Sequence, residues 1–206
     1  MKILASLLGL FWCGISMAQT TEIKLLNKLD QVEEYAPNET QRIKGKHTLL
    51  SMLIDCEFDE QCELGMIEKL QNLIKEDANV MYKGFLTYLK WEKADLEYNV
   101  KHCQIEEKKQ VRKGYAACYA KWMDEDSKNP TPPRAIIDKL ESDRQACLKK
   151  QMAPLAEQGN IFAEAVMVNV SEYFKDSQKM TFWSSKIQSQ KGTPKYEMYM
   201  KCSELP

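Results

Sequence analysis

The sequence is poor in turn-forming residues and in the side chains that most enzymes use for catalysis. Its 206 residues include 8 glycines and 7 prolines, too few for an all-β sandwich with many hairpins. A hydrophobic fraction of 44% excludes a disordered chain. A formal charge of −1 argues against the basic surface that nucleic acids require, so we expect no nucleic-acid partner.

Catalytic signatures are equally scarce. The only histidines are His47 and His102, so most nucleophilic triads lack their base. No Gly-x-Ser-x-Gly, Ser-x-x-Lys or His-Glu-x-x-His motif occurs, and no glycine-rich phosphate loop. Acidic pairs such as Glu92 with Asp95 are common on any charged helix. We predict no catalytic residue, no metal and no cofactor. The alternative is a small envelope-acting hydrolase that uses two carboxylates across a cleft.

The first 18 residues have the pattern of a secretory signal peptide. Lys2 supplies a positive start, residues 3–15 form an apolar run, and Ser16-Met17-Ala18 places small residues at the cleavage positions. The run is shorter than the roughly 20 residues that span a bilayer, which disfavours a membrane anchor. We expect cleavage before Gln19 and export to a bacterial periplasm or, alternatively, to the exterior.

Cysteine usage agrees with export. Cys13 falls in the predicted signal peptide, and six cysteines remain: Cys56, Cys62, Cys103, Cys118, Cys147 and Cys202. An even number in an exported chain predicts disulfide bonds, and the absence of Cys-x-x-Cys spacing disfavours zinc.

Many pairings are open, but spacing favours one set. Cys118 and Cys147 lie symmetrically about a proline-rich break, so an antiparallel helical hairpin brings them level. Cys56 and Cys62 flank a short acidic turn and can close it. The Cys103–Cys202 pair follows by elimination.

Apolar residues recur at three- and four-residue spacing along most of the chain, as in amphipathic helices. The first such stripe comprises Ile23, Leu25, Leu26, Leu29 and Val32. Asn38 caps a second segment, and Asp59 or Glu60 opens a third. One long helix is expected over 78–103, another over 106–124, and a third from 134 to about 158. We predict an all-α protein of eight or nine helices, packed as antiparallel hairpins and stabilised by disulfides.

A proline-rich segment divides the chain near its middle. The run Lys-Asn-Pro-Thr-Pro-Pro at 128–133 separates an N-terminal helical region, 19–129, from a C-terminal one, 134–206. We expect the two regions to form one compact unit.

The C-terminal region has the residue pattern of a helical repeat. Leu155-Ala156-Glu157-Gln158-Gly159-Asn160 precedes Ala163 and Ala165, and Phe182-Trp183 lies before Gly192. Residues 153–202 thereby resemble the Sel-one-like repeat, a relative of the tetratricopeptide repeat, and the interval of 33 residues from Gly159 to Gly192 is close to the length of one repeat. The resemblance implies turns at the two glycines, close helix approach at the alanines and a scaffold for protein contact. The family's glycine-rich inner loop is replaced here by Phe174-Lys175-Asp176-Ser177.

Aromatic and acidic side chains supply the candidate partner-binding residues, because aromatic residues dominate interface hot spots. An acidic turn closed by a disulfide would present Phe58 to a basic partner. Trp91 lies off the apolar stripe of its helix, so it either packs under a neighbouring element, which we favour, or faces a partner. The candidates are Phe58, Asp59, Glu60, Trp91, Tyr98, Trp122 and Trp183.

Together these features predict an exported, non-catalytic helical protein-binding module. An adaptor, an inhibitor or an immunity-type protein of the periplasm or envelope would each fit, and a secreted effector is a further alternative. A protein partner is expected.

Overall fold

A computed structural model describes residues 28–29, 31–127 and 134–203, without the side chains of 124–127. The predicted signal peptide and the proline-rich run 130–133 lie outside these residues. The helices are α1 (Glu39–Asp55), α2 (Glu60–Glu76), α3 (Val80–Trp91), α4 (Lys93–His102), α5 (Glu106–Ser127), α6 (Arg134–Glu157), α7 (Ile161–Tyr173), α8 (Ser177–Ser189) and α9 (Pro194–Ser203). The described part of the chain contains no strand, so the all-α prediction is confirmed.

Five helices begin at an asparagine or aspartate whose side chain accepts a backbone N–H of the first turn. These residues are Asn38, Asp59, Asn79, Asn160 and Asp176. The predicted cap Asn38 is therefore confirmed, and of the two residues expected to open the next helix, Asp59 is the cap and Glu60 is the first helical residue. Asn79 and Asn160 also connect distant helices, since their Nδ2 atoms donate to the carbonyls of Gln41 and Glu107, each at 2.8 Å.

The predicted helix over 78–103 is wrong in one respect, because the structure has two helices there. The chain bends at Glu92, which closes α3 and precedes α4. The hydrogen bonds Glu92 N–H to Tyr88 and Leu96 N–H to Glu92 are both 2.9 Å, so the backbone stays satisfied through the bend. The bend allows α4 to pack on α2 as well as on α3.

The helices pack mainly against their sequence neighbours, and α1 crosses back onto α3 and α5. The core runs through both regions of the chain and includes Leu53, Phe85, Tyr115, Met152 and Val166. Helix α6 contains Pro154 and ends three residues later at Glu157. Gly159 then turns the chain with φ of +85°, and the N–H groups of Gly159 and Asn160 close the helix end in a Schellman pattern.

Three disulfide bonds are formed, and the predicted pairing is confirmed. Cys56–Cys62 closes the turn between α1 and α2, and Cys118–Cys147 joins α5 to α6. Cys103–Cys202 spans 99 residues and ties the end of α4 to α9. Because this bond joins the end of α4 to the last helix, it closes a loop over residues 103–202 rather than over one hairpin.

The segment that resembles a Sel-one-like repeat forms the α7–α8 hairpin. Gly192 has φ of +81°, so both expected turn glycines adopt the left-handed conformation. Ala163 and Ala165 are buried, as expected of residues at which helices approach closely. Membership in that family stays a prediction.

Candidate functional site

A shallow, open depression of about 440 Å³ lies between α1 and α5. His47, Thr48, Ser51 and Met52 line it from α1, and Met123 lines it from α5. The four α1 residues share one side of that helix, because residues three and four apart recur on one face. The hydroxyl of buried Tyr82 bonds Thr48 Oγ1 at 3.1 Å, which orients this side of the lining.

Trp122, one of the candidate partner-binding residues, adjoins this depression. It is half-buried, its chain neighbour is Met123, and its ring contacts the ring of Tyr119. Lys46 Nζ lies 5.3 Å from the Trp122 ring centroid and 2.9 Å from Glu33. The cation therefore fixes one face of the indole.

The lining combines soft apolar and weakly polar groups. Methionine adapts its shape to irregular partners, and the Thr48 and Ser51 hydroxyls both donate and accept hydrogen bonds. No carboxylate belongs to the lining residues of this depression. Such a surface is suited to receiving a partner's side chain. We therefore take these five residues with Trp122 as the candidate site.

A buried charge cluster lies elsewhere, at the start of α2. Glu60 is fully buried, its Oε1 lies 2.6 Å from Lys108 Nζ, and it also pairs with the Arg112 guanidinium. Arg112 reaches Asp59 Oδ2 at 3.5 Å, and Lys108 donates to the Cys202 carbonyl at 3.2 Å. These contacts join α2, α5 and α9.

The prediction that Phe58 and Glu60 face a partner is wrong. Phe58 is fully buried, with its ring 6.4 Å from Tyr115 and 6.0 Å from Tyr119. Glu60 is sequestered by Lys108, so both side chains hold the turn onto α5. Asp59 is partly exposed, but its carboxylate caps α2 through the N–H groups of residues 61 and 62.

A second buried carboxylate, Glu164, orders the C-terminal hairpin. Lys186 Nζ lies 3.0 Å from it, and Gln190 Nε2 donates to it at 2.7 Å. Lys186 also donates to the Ala156 carbonyl and lies over the ring of Trp183. Trp183 is buried in this arrangement, so its prediction as an exposed partner-binding residue is also wrong.

The remaining candidates, Trp91 and Tyr98, are on the surface. Trp91 is 76% exposed at the end of α3, so the favoured interpretation that it packs under a neighbour does not hold within the described residues. Tyr98 is 37% exposed, and its ring lies 4.6 Å from that of His102. The structure therefore separates the seven candidates and places only Trp122 beside the depression.

The internal cations were missed by sequence reasoning although a signal was present. Lys108 lies three residues before Val111, and Arg112 lies three residues before Tyr115, so both cations are in line with the buried stripe of α5. A cation in register with an apolar stripe indicates a buried partner of opposite charge.

Burial also affects the phenol of Tyr88, on α3. Burial raises the pKa of Tyr88 well above its usual range, and the nearby carboxylates of Glu92 and Glu63 raise it further. The phenol therefore stays protonated and supplies no base.

Metal-binding groups and membrane-spanning helices were sought in the residues that the structure describes, 28–29, 31–127 and 134–203. These residues contain no group of three or more His, Cys, Asp or Glu side chains able to hold a metal ion. None of their helices is long and apolar enough to cross a membrane. Comparisons with protein-family models, curated proteins and solved structures found no match to this chain.

Proposed function

We propose that this chain is an exported, non-catalytic helical protein-binding module of the bacterial periplasm or envelope. In this role it is an adaptor, an inhibitor or an immunity-type protein. The observation that carries the proposal is the open depression between α1 and α5, which is lined by two methionines and by hydroxyls, with Trp122 next to the lining residue Met123 in the chain. Aromatic and methionine side chains beside hydrogen-bonding groups are characteristic of protein interfaces.

Two further features support the proposal. Three disulfides are typical of proteins that fold in an oxidising compartment, which agrees with the predicted signal peptide. Two fully buried carboxylates, those of Glu60 and Glu164, are held by lysines inside the fold. A carboxylate engaged in this way acts as a structural group rather than as a general acid.

The test is affinity capture by the oxidised mature protein from envelope and secreted fractions, followed by mass spectrometry. Ser51→Arg places a long cation in the depression, and Gln71→Arg makes the same change on the exposed face of α2. We expect one stoichiometric, salt-resistant protein partner that is retained by the wild type and by Gln71→Arg but lost from Ser51→Arg.

Other outcomes count against the proposal. Equal retention by both variants removes the depression from the binding surface. Retained glycan without a protein partner favours a wall-binding module or the hydrolase alternative, and single substitutions of exposed carboxylates then become the next experiment.

A further inference from the structure

The turn between α7 and α8 carries two exposed aromatic side chains that are neighbours in the chain. Tyr173 and Phe174 are 39% and 40% exposed, and their rings pack edge to face with centroids 5.1 Å apart. Because each ring supports the other, the pair presents an ordered apolar surface to the solvent. Aromatic side chains of this kind contribute most strongly to the binding energy of protein interfaces.

Lysine side chains lie beside the aromatic pair. Lys149 Nζ, from α6, lies 5.6 Å from the centroid of the Phe174 ring. Lys175 follows Phe174 directly and is exposed. The pKa of Asp176 is lowered by the backbone N–H of Lys179 and by the ammonium groups of Lys179 and Lys149, so both cations lie near this turn.

Lys175 is held in the left-handed backbone conformation, with φ of +54°. This conformation is unfavourable for residues other than glycine, and such outliers are concentrated at functional sites. The ammonium group of Lys175 forms no ion pair with any residue that the structure describes. The turn therefore keeps a lysine where glycine would fit the backbone better, and the charge of that lysine is accessible to a partner.

Two carboxylates interrupt the positive charge around the turn. Asp176 caps α8 and lies 3.4 Å from Lys179 Nζ, and Glu172 is exposed near the end of α7. A continuous anionic lipid surface would repel both carboxylates. An extended peptide can instead place its own carboxylates against single lysines and leave the two acids in water. The arrangement therefore favours an acidic peptide segment over a membrane.

We propose that Tyr173, Phe174, Lys149 and Lys175, the aromatic–lysine tip, bind an acidic segment of a partner protein that also carries an apolar side chain. The apolar side chain packs against the aromatic pair, and carboxylates on either side of it pair with Lys149 and Lys175. The inference rests on the proposed function in that the partner is a protein, but it uses none of the residues that line the depression between α1 and α5.

An NMR titration of the isotope-labelled, oxidised mature protein tests the inference. The probe is a synthetic peptide in which pairs of glutamates flank one leucine, and the control peptide has serines in place of the glutamates. Lys175→Gly removes the cation and relieves the left-handed backbone, so we expect this variant to fold. Lys191→Gly makes the same change in the exposed turn at the other end of α8.

We expect the glutamate peptide to shift the backbone amide resonances of residues 172–179 selectively, and the serine peptide to leave them unchanged. The dissociation constant should rise about two- to fivefold in Lys175→Gly, which is the effect of one exposed charge pair, and stay at the wild-type value in Lys191→Gly. Equal weakening in the two variants overturns the inference, because it attributes binding to net charge.

The remaining outcomes separate this inference from the proposed function. Shifts confined to residues 47–52 overturn the inference and leave the proposed function standing, because they place the peptide in the depression. Absence of any shift also overturns it, and the Ser51→Arg capture experiment then tests the depression separately. Binding to phosphatidylglycerol vesicles without a response to the peptide overturns it in favour of an anionic lipid surface.

Discussion

The carboxylate of Glu60 lies beneath the surface with cations from two turns of α5. Burying a charge costs several kcal/mol unless it is paired, and here Lys108 Nζ at 2.6 Å and the Arg112 guanidinium provide the pairing. The pairing also fixes position, because a shift of α2 along α5 separates the charges. Glu60 thus links the first turn of one helix to the side of another.

Glu60→Gln should lower the free energy of unfolding by about 3–5 kcal/mol, because it removes one member of a buried ion pair. Urea denaturation of the oxidised protein measures the change. Glu97→Gln is the matched control, since Glu97 pairs with Lys93 at 3.5 Å with both side chains exposed. We expect the control to cost less than about 1 kcal/mol. Similar losses in the two variants would contradict a structural role for the buried cluster.

Lys175 holds a backbone conformation that suits glycine. Its φ is +54°, and it ends α7 where the N–H of Asp176 reaches the Ser171 carbonyl. The left-handed conformation costs a non-glycine residue about 1–2 kcal/mol. Glycine avoids that cost. It lowers the folding free energy gain by about 0.5–1 kcal/mol, however, because an unfolded chain with glycine has more conformational entropy to lose.

Lys175→Gly should therefore stabilise the protein by up to about 1 kcal/mol, and thermal unfolding provides the measurement. Lys175→Ala keeps the strained conformation and removes the same side chain, so we expect it to leave the melting temperature nearly unchanged. If Lys175→Ala stabilised the protein as much as Lys175→Gly, the stabilisation would come from loss of the lysine charge and not from relief of backbone strain.

The N-cap of α8 is Asp176, a titratable residue, so its capping contribution to the free energy of unfolding depends on pH. The N–H of Lys179 donates to Asp176 Oδ1 at 3.0 Å, and the Lys179 ammonium lies 3.4 Å from Oδ2. The backbone hydrogen bond is the main cause that lowers the pKa of Asp176, and the ammonium adds to it.

A lowered folded-state pKa contributes stability above the unfolded-state value of about 3.9 and loses it as pH falls through the folded-state value. Asp176→Asn retains a capping oxygen but does not titrate. We expect the wild type to be more stable than this variant at neutral pH and to lose that advantage progressively below about pH 4. Unfolding free energies of both proteins across this range are the measurement. A difference that does not change with pH would contradict the assignment.

The α3–α4 bend and the α1–α2 turn show what periodicity can and cannot indicate for an element. Apolar spacing through residues 78–103 is continuous, so the pattern predicts one helix. The bend at Glu92 accompanies the packing of α4 on α2, a contact that the local apolar pattern does not indicate. The turn closed by Cys56–Cys62 was predictable, because its two cysteines and its Asp59 cap are local.

For the whole molecule, the three disulfides restrict the unfolded chain to very different degrees. Their sequence separations are 6, 29 and 99 residues. Loop-closure entropy predicts a stabilisation of about 2 kcal/mol for the shortest and about 5 kcal/mol for the longest. Two of the bonds, Cys118–Cys147 and Cys103–Cys202, join the two regions of the chain, and Cys103–Cys202 has the larger entropic contribution.

Replacing Cys103 and Cys202 together by alanine should destabilise the protein by roughly 2–3 kcal/mol more than replacing Cys56 and Cys62. Guanidinium denaturation of the two double variants measures the difference, with each retaining its other two bonds. We also expect no titratable thiol in the oxidised mature wild type. One free thiol per chain would contradict the three-bond arrangement, and an inverse order of stabilities would contradict the entropic argument.

The candidate site was less predictable from the sequence than the helical fold was. Trp122 was identified from the sequence because tryptophan at a helix surface is typical of interfaces. The depression beside it was not, because His47, Thr48 and Ser51 become a lining only when α5 packs against α1. Nothing in the local pattern of α1 indicates which helix crosses it.

The sequence by itself determined the helical class, the cap at Asn38 and the presence of six cysteines suited to disulfides, and it favoured one pairing among many that the structure then selected. These features follow from short-range hydrogen bonding, from apolar periodicity and from chain symmetry about a break. Tertiary structure alone decided that Phe58, Glu60 and Trp183 are buried and that Trp91 is exposed. Burial is a property of what lies across from a side chain, and those neighbours come from helices that are remote in the sequence.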